Sequence, residues 1–120
     1  MKKTLVIGAS ENPDRYSNKA IRALVLHGHE VVAIGLNEGQ VAGVSFNSEK
    51  KAFENIDTVT MYVGPQNQRE YYQYILNLKP QRVIFNPGTE NPEFIAKLES
   101  AGIHPEIACT LVLLSIGQYE

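Results

Sequence analysis

The segment that decides the fold is Thr4-Leu5-Val6-Ile7-Gly8-Ala9-Ser10, a short apolar run that ends in glycine and then turns polar. A run of this length, rich in β-branched residues, is typical of a strand that is covered on both faces, as in a parallel sheet. Further runs of the same kind occupy residues 31–34, 59–63 and 83–85, and a last strand is predicted near residues 103–108. The opening segment is therefore predicted to be the first of about five parallel strands.

Helical patterns separate these strands. After Ser17, which is a good N-cap residue, apolar residues recur at helical spacing. Pro65 is predicted to lie in the first turn of a second helix, which ends before Pro80, and Asn91 is predicted to cap a third. An apolar tail over residues 111–116 is predicted to be a final helix.

Strands that alternate with helices of crossover length require parallel pairing with right-handed connections. We therefore predict an α/β fold, a doubly wound, three-layer, Rossmann-like domain on a parallel five-stranded sheet in the order 3-2-1-4-5. Because no linker or repeat interrupts the 120 residues, one domain is expected over residues 1–120. Ligands bind to such sheets beyond the carboxyl ends of the strands at the switch point, here predicted between the first and fourth strands.

Composition restricts the class of partner. The formal net charge of −2 offers no basic surface for nucleic acid or for an anionic membrane. No apolar run approaches the roughly 20 residues of a membrane span, and the apolar start is too short for a signal peptide, so a cytoplasmic location is expected. The single cysteine, Cys109, excludes an internal disulfide, and the histidines lack metal-ligand spacing, so no metal site is predicted.

The loop after the first predicted strand is the best candidate for a ligand site. Gly8 permits a tight turn and a close approach of a ligand to the backbone, and a helix start follows. Backbone amides at a helix N-terminus bind anions, and the guanidinium of Arg15 is a fork that matches a phosphate. A pyrophosphate is the natural ligand of such a loop. Arg15 is explained equally well as a surface residue that pairs with Asp14 or Glu11.

The known nucleotide signatures are incomplete in this chain. Ser10 stands where the fingerprint G-x-G-x-x-G has its second glycine, and no P-loop sequence occurs. A clear acidic residue for the NAD ribose is missing after the second strand, but Glu38 keeps an NAD(P)-binding small oxidoreductase as an alternative. No nucleophile–base pair and no pair of carboxylates has a catalytic context, so no catalytic residue is predicted.

Several segments along the chain carry a family resemblance when they are taken together. They include Val6-Ile7-Gly8-Ala9-Ser10 with Pro13, Arg15 and Ser17, then Asp57-Thr58-Val59-Thr60-Met61-Tyr62-Val63, Phe85-Asn86-Pro87-Gly88 and Ala101-Gly102-Ile103. As a set, they resemble the small single-domain CoA-binding proteins, which are relatives of the amino-terminal domain of the succinyl-CoA synthetase alpha subunit.

This resemblance implies a binding module for CoA or acyl-CoA that carries out no reaction of its own. The phosphates would lie against the loop after the first strand, the adenosine near Asn37, and the pantetheine arm beside the loop after the fourth strand. The residues implied to bind this nucleotide ligand are Gly8, Ala9, Ser10, Arg15, Tyr16, Ser17, Asn37, Tyr62, Val63, Gly64, Pro65, Asn86, Pro87 and Gly88.

Two points stay open at the level of sequence. A regulatory or scaffold module with an empty pocket is a second alternative, and a homo-oligomer or a protein partner is compatible with the sequence. Cys109 is predicted to lie where the last strand meets the last helix, a position that makes a thiol more nucleophilic. A buried small hydrophobe is the stronger interpretation of this lone cysteine.

Overall fold

A computed structural model, which describes residues 1–120, shows a parallel sheet between two layers of helices. The elements are β1 (Thr4–Ala9), α1 (Tyr16–Leu26), β2 (Val31–Gly35), β3 (Gly39–Val41), β4 (Val44–Phe46), β5 (Thr58–Met61), α2 (Arg69–Leu78), β6 (Arg82–Phe85), α3 (Pro92–Ser100), β7 (His104–Ile107) and α4 (Thr110–Ser115). The main sheet has the order β2-β1-β5-β6-β7 and all its pairs are parallel. The predicted α/β, doubly wound class is confirmed. None of the helices combines the length and the apolar character that a membrane span requires.

The strand order differs from the predicted order 3-2-1-4-5 in the place of one strand. Counted along the chain within the main sheet, the order is 2-1-3-4-5, because the third strand, β5, pairs with β1 instead of β2. Beyond β2 lies the β3–β4 hairpin, after which Asn47 forms a bridge with Ile34. The switch point therefore lies between the first and third strands, so the loops after β1 and β5 flank it.

The layers follow from this change of direction. The chain moves one way from β1 to β2 and the other way from β5 to β7, so right-handed crossovers place the helices on opposite faces. Ile75 of α2 and Phe94 of α3 pack in the core of one face. Ile21 of α1 and Leu114 of α4 pack in the core of the other face.

The ends of the helices confirm one predicted cap and correct two predictions. The Oδ1 atom of Asn91 accepts a hydrogen bond from the amide of Phe94 at 3.1 Å, so Asn91 caps α3 as predicted. Ser17 is not the cap of α1. The helix begins at Tyr16 with Arg15 in the N-cap position, two residues before the predicted cap, and Ser17 is buried in its first turn. Pro65 lies in a separate 3₁₀ turn, Pro65–Asn67, that precedes α2.

No strand is predicted from sequence over residues 36–57, yet the structure forms the β3–β4 hairpin there. Val41 pairs with Val44, and the two residues between them, Ala42 and Gly43, have φ values of 51° and 83°. Positive φ at both positions is what a type I′ hairpin turn requires. Each strand is only three residues long, too short to show a period in the sequence.

The end of β1 approaches β5 more closely than a side chain would allow. Gly8 has a φ of +100°, and a Cβ atom at this position would lie 2.8 Å from the carbonyl oxygen of Tyr62. Only glycine combines this backbone conformation with this contact at low cost. Gly8 is therefore required by the fold itself, and it directs the chain away from the sheet into the following loop.

We expect Gly8→Ala to lower the free energy of unfolding by about 2–4 kcal/mol, because it adds both backbone strain and steric overlap. Gly102→Ala is the matched control, since Gly102 has a φ of +75° but no atom within 4 Å of the new Cβ. This control should cost about 1 kcal/mol. Urea unfolding measures both values, and equal losses would contradict the role of the close approach.

Candidate functional site

The carboxyl ends of the central strands surround an open cleft with a volume of about 1040 Å³. Parallel strands end at the same edge of a sheet, so segments that are distant in sequence meet there. Every predicted site residue except Pro65 lines this cleft. The lining residues from the prediction are Gly8, Ala9, Ser10, Arg15, Tyr16, Ser17, Asn37, Tyr62, Val63, Gly64, Asn86, Pro87 and Gly88.

The loop between β1 and α1 is held in shape by its own polar side chains. The Oγ atom of Ser10 accepts a hydrogen bond from the amide of Asn12 at 3.1 Å, and the Oδ1 atom of Asn12 accepts one from the amide of Asp14 at 3.0 Å. The side-chain amide of Asn18 in α1 donates to the carbonyl of Ser10 at 2.9 Å. The loop is therefore fixed at both ends.

Several backbone amides of this loop have no partner in the chain. The amides of Ser10 and Glu11 donate no hydrogen bond. The first helical bonds of α1 end on the carbonyl of Arg15, so the amides of Tyr16 and Ser17 have no partner within the helix. N–H groups in this arrangement, at the start of a helix, are suited to bind an anion.

Arg15 adds a positive charge beside these amides. Its side chain is exposed and forms no ion pair, so it is not paired with Asp14 or Glu11. The carboxylate of Glu11 instead accepts a hydrogen bond from the amide of Gln40 at 3.0 Å. The guanidinium of Arg15 is thus available to a ligand at the mouth of the cleft.

Asn86 lines the cleft, but its side chain is committed to internal bonds. Its Nδ2 atom donates to the hydroxyl of Thr60 at 2.7 Å and to the carbonyl of Met61 at 2.9 Å. Its Oδ1 atom accepts from the amide of Thr110, the first residue of α4, at 2.9 Å. Asn86 therefore joins β5, β6 and α4, and it leaves Pro87 and the backbone of the same loop to face the cleft.

Gln68 is a buried residue with a similar role that is not predicted from the sequence. Its Nε2 atom donates to the carbonyls of Val63 at 2.9 Å and Thr89 at 2.7 Å, which ties the loop after β5 to the loop after β6. Its position in the sequence could have indicated this role, because Gln68, Tyr71 and Ile75 follow the helical spacing i, i+3, i+7 of the buried face of α2. A polar residue on an apolar stripe indicates an internal hydrogen-bonding role.

The back of the cleft contains Tyr62 and Cys109. The hydroxyl of Tyr62 is buried without a hydrogen-bond partner, and burial raises the pKa of this phenol well above its usual value, so the phenol stays protonated. Cys109 is half-buried at the junction of β7 and α4, the position predicted from the sequence. No three His, Cys, Asp or Glu side chains come together in a way that could hold a metal ion.

Comparison with known protein families identifies the family of this chain. The profile of the CoA binding domain family matches residues 2–115. The chain belongs to the CoA binding domain family. The resemblance found in the sequence is thus confirmed, and membership of this family supports CoA as the ligand.

Solved structures share this fold. An uncharacterized protein is 51% identical with a TM-score of 0.96, over 98% of each chain. A hypothetical protein from Pyrococcus furiosus is 25% identical, with a TM-score of 0.81, over 93% of this chain and 98% of that chain. The dinucleotide forming acetyl-coenzyme A synthetase 1 of Ca. Korarchaeum cryptofilum shares the fold at 15% identity, with a TM-score of 0.72, over 91% of this chain and 26% of that one. No curated protein matches the sequence.

We expect Asn86→Ala to lower the free energy of unfolding by about 2–3 kcal/mol, because it leaves the buried amide of Thr110 without an acceptor. Asn67→Ala is the control, since Asn67 also lines the cleft but is exposed and its side chain makes no hydrogen bond. The control should change stability by less than about 0.5 kcal/mol. If denaturant unfolding gives the same value for both variants, the internal role of Asn86 is wrong.

Proposed function

We propose that the chain binds CoA or acyl-CoA in the cleft and carries out no reaction of its own. The observation that carries this proposal is the set of unpartnered amides at Ser10, Glu11 and the start of α1, beside the unpaired guanidinium of Arg15. A diphosphate placed there would accept these N–H groups and face the positive end of the helix dipole. The family assignment supports CoA as the source of the diphosphate.

The rest of the ligand would extend to either side of the diphosphate. The nucleoside would lie toward the end of β2, near Asn37, as in other doubly wound sheets. The pantetheine arm would lie across the ends of β5 and β6, between Gly64 and Gly88, and its thiol would approach Cys109. Nothing lies within 4 Å of the place of a Cβ atom at Gly88, so this side of the cleft has room for the arm. A cleft of about 1040 Å³ is large enough for an extended nucleotide.

The residues of the cleft support binding without catalysis. His27, His29 and His104 all lie outside the cleft, so Cys109 has no histidine there that would act as its base. The half-buried thiol and the protonated phenol of Tyr62 do not form a nucleophile–base pair. The comparisons offer no support for the alternative of an NAD(P)-dependent oxidoreductase.

Thermal melting with added nucleotides tests this proposal. CoA at a hundredfold excess over its Kd should stabilise the protein by about 2.7 kcal/mol, because it binds only the folded state. NAD, FAD and ATP at the same concentration should raise the Tm less. Equal shifts for all four compounds, or no shift with CoA, would contradict the proposal.

We expect Arg15→Ala to weaken CoA binding about tenfold with little change in Tm, since the exposed side chain contributes one charge-assisted contact to phosphate and nothing to the core. Lys97→Ala removes an exposed positive charge from α3, outside the cleft, and serves as the control. Isothermal titration calorimetry gives both Kd values. Equal Kd values for the two variants would remove Arg15 from the site.

A further inference from the structure

The cleft contains more carboxylates than cations. Arg15 is the only Lys or Arg among the residues that line it, whereas four acidic residues, Glu11, Asp14, Glu38 and Glu70, do so. Only Glu70 is neutralised by an ion pair, with Lys50 at 3.2 Å. CoA carries a diphosphate and also a phosphate monoester on the 3′ oxygen of its ribose, and such a monoester has a charge of about −1.5 to −2 at pH 7. The unpartnered amides after β1 and the guanidinium of Arg15 are available to the diphosphate, but the cleft offers no further cation for the phosphate on the ribose.

Two of the acidic residues, Glu11 and Glu38, lie on the side of the cleft next to β2 and β3. Glu38 lies in the short connection between β2 and β3, is exposed, and forms neither an ion pair nor a side-chain hydrogen bond. The side chain of Glu11 reaches the same place from the loop after β1, because its Cγ atom lies 2.6 Å from where a Cβ atom on Gly39 would be. No Lys or Arg occurs anywhere over residues 31–49.

This side of a doubly wound sheet is where the ribose of a nucleotide lies. A carboxylate after the second strand accepts hydrogen bonds from free ribose hydroxyls, whereas a ribose phosphate requires a cation there. A phosphate dianion close to Glu38 would be repelled, and the only compensating charge, on Arg15, is expected at the diphosphate. The arrangement therefore suits a ribose without a phosphate.

Building on the proposed function, we propose that the cleft discriminates against the 3′-phosphate of CoA, and that Glu38 is the residue that determines this specificity. The preferred ligand class is then a pantetheine nucleotide whose ribose hydroxyls are free, as in dephospho-CoA. Glu38 accepts hydrogen bonds from these hydroxyls, while the amides after β1 hold the diphosphate that both nucleotides share.

Calorimetric titration with CoA and with dephospho-CoA tests this inference. Dephospho-CoA should bind about threefold to tenfold more tightly than CoA at low ionic strength. The Kd of CoA divided by the Kd of dephospho-CoA should fall when salt is added, because salt screens the repulsion between exposed charges. Glu38→Gln should bring the ratio close to one. Glu99→Gln makes the same change of net charge on the exposed surface of α3, outside the cleft, and should leave the ratio as it is in the parent protein.

Other outcomes separate this inference from the proposed function. Tighter binding of CoA than of dephospho-CoA, or a ratio that Glu38→Gln does not change, overturns the specificity inference and leaves CoA binding intact. A failure of both nucleotides to bind overturns the proposed function and the inference with it.

Discussion

The close contact between the end of β1 and the end of β5 is the constraint on which the site depends. Gly8 takes a backbone conformation with positive φ directly against the carbonyl of Tyr62, so β1 and β5 can lie side by side up to their ends. The chain then leaves the sheet and returns as α1, whose first residues, Tyr16 and Ser17, line the cleft. The same pairing of β1 with β5 creates the switch point at which a doubly wound sheet opens.

The polar residues around the cleft fall into two groups with different roles. Asn86 and Gln68 are buried, and their side-chain bonds go to β5, to neighbouring loops and to α4. Arg15 and Glu38 are exposed and have no partner in the chain. The buried group holds the loops in place before a ligand arrives, which lowers the cost of ordering them on binding. Under the proposed function, the exposed group would determine which nucleotide is accepted.

Local sequence predicts much of this arrangement, and non-local contacts explain where it does not. The strands, the cap at Asn91 and the polar loop after β1 are encoded in short segments, so they could be predicted along with the family. The strand order could not, because the pairing of β5 with β1 depends on a long connection whose hairpin strands are too short to show a period. The role of Asn86 was not predicted either. The local sequence around a loop asparagine does not indicate whether its side chain bonds to a ligand or, as here, to the first amide of α4.

Diphosphate binding by the loop after β1 is tested most directly by a ¹⁵N–¹H correlation spectrum recorded during titration with CoA. The amides of Ser10, Glu11, Tyr16 and Ser17 should show the largest shifts, because they would form new hydrogen bonds to phosphate oxygens. Binding that leaves these resonances unmoved while residues elsewhere shift would contradict the assignment of the site.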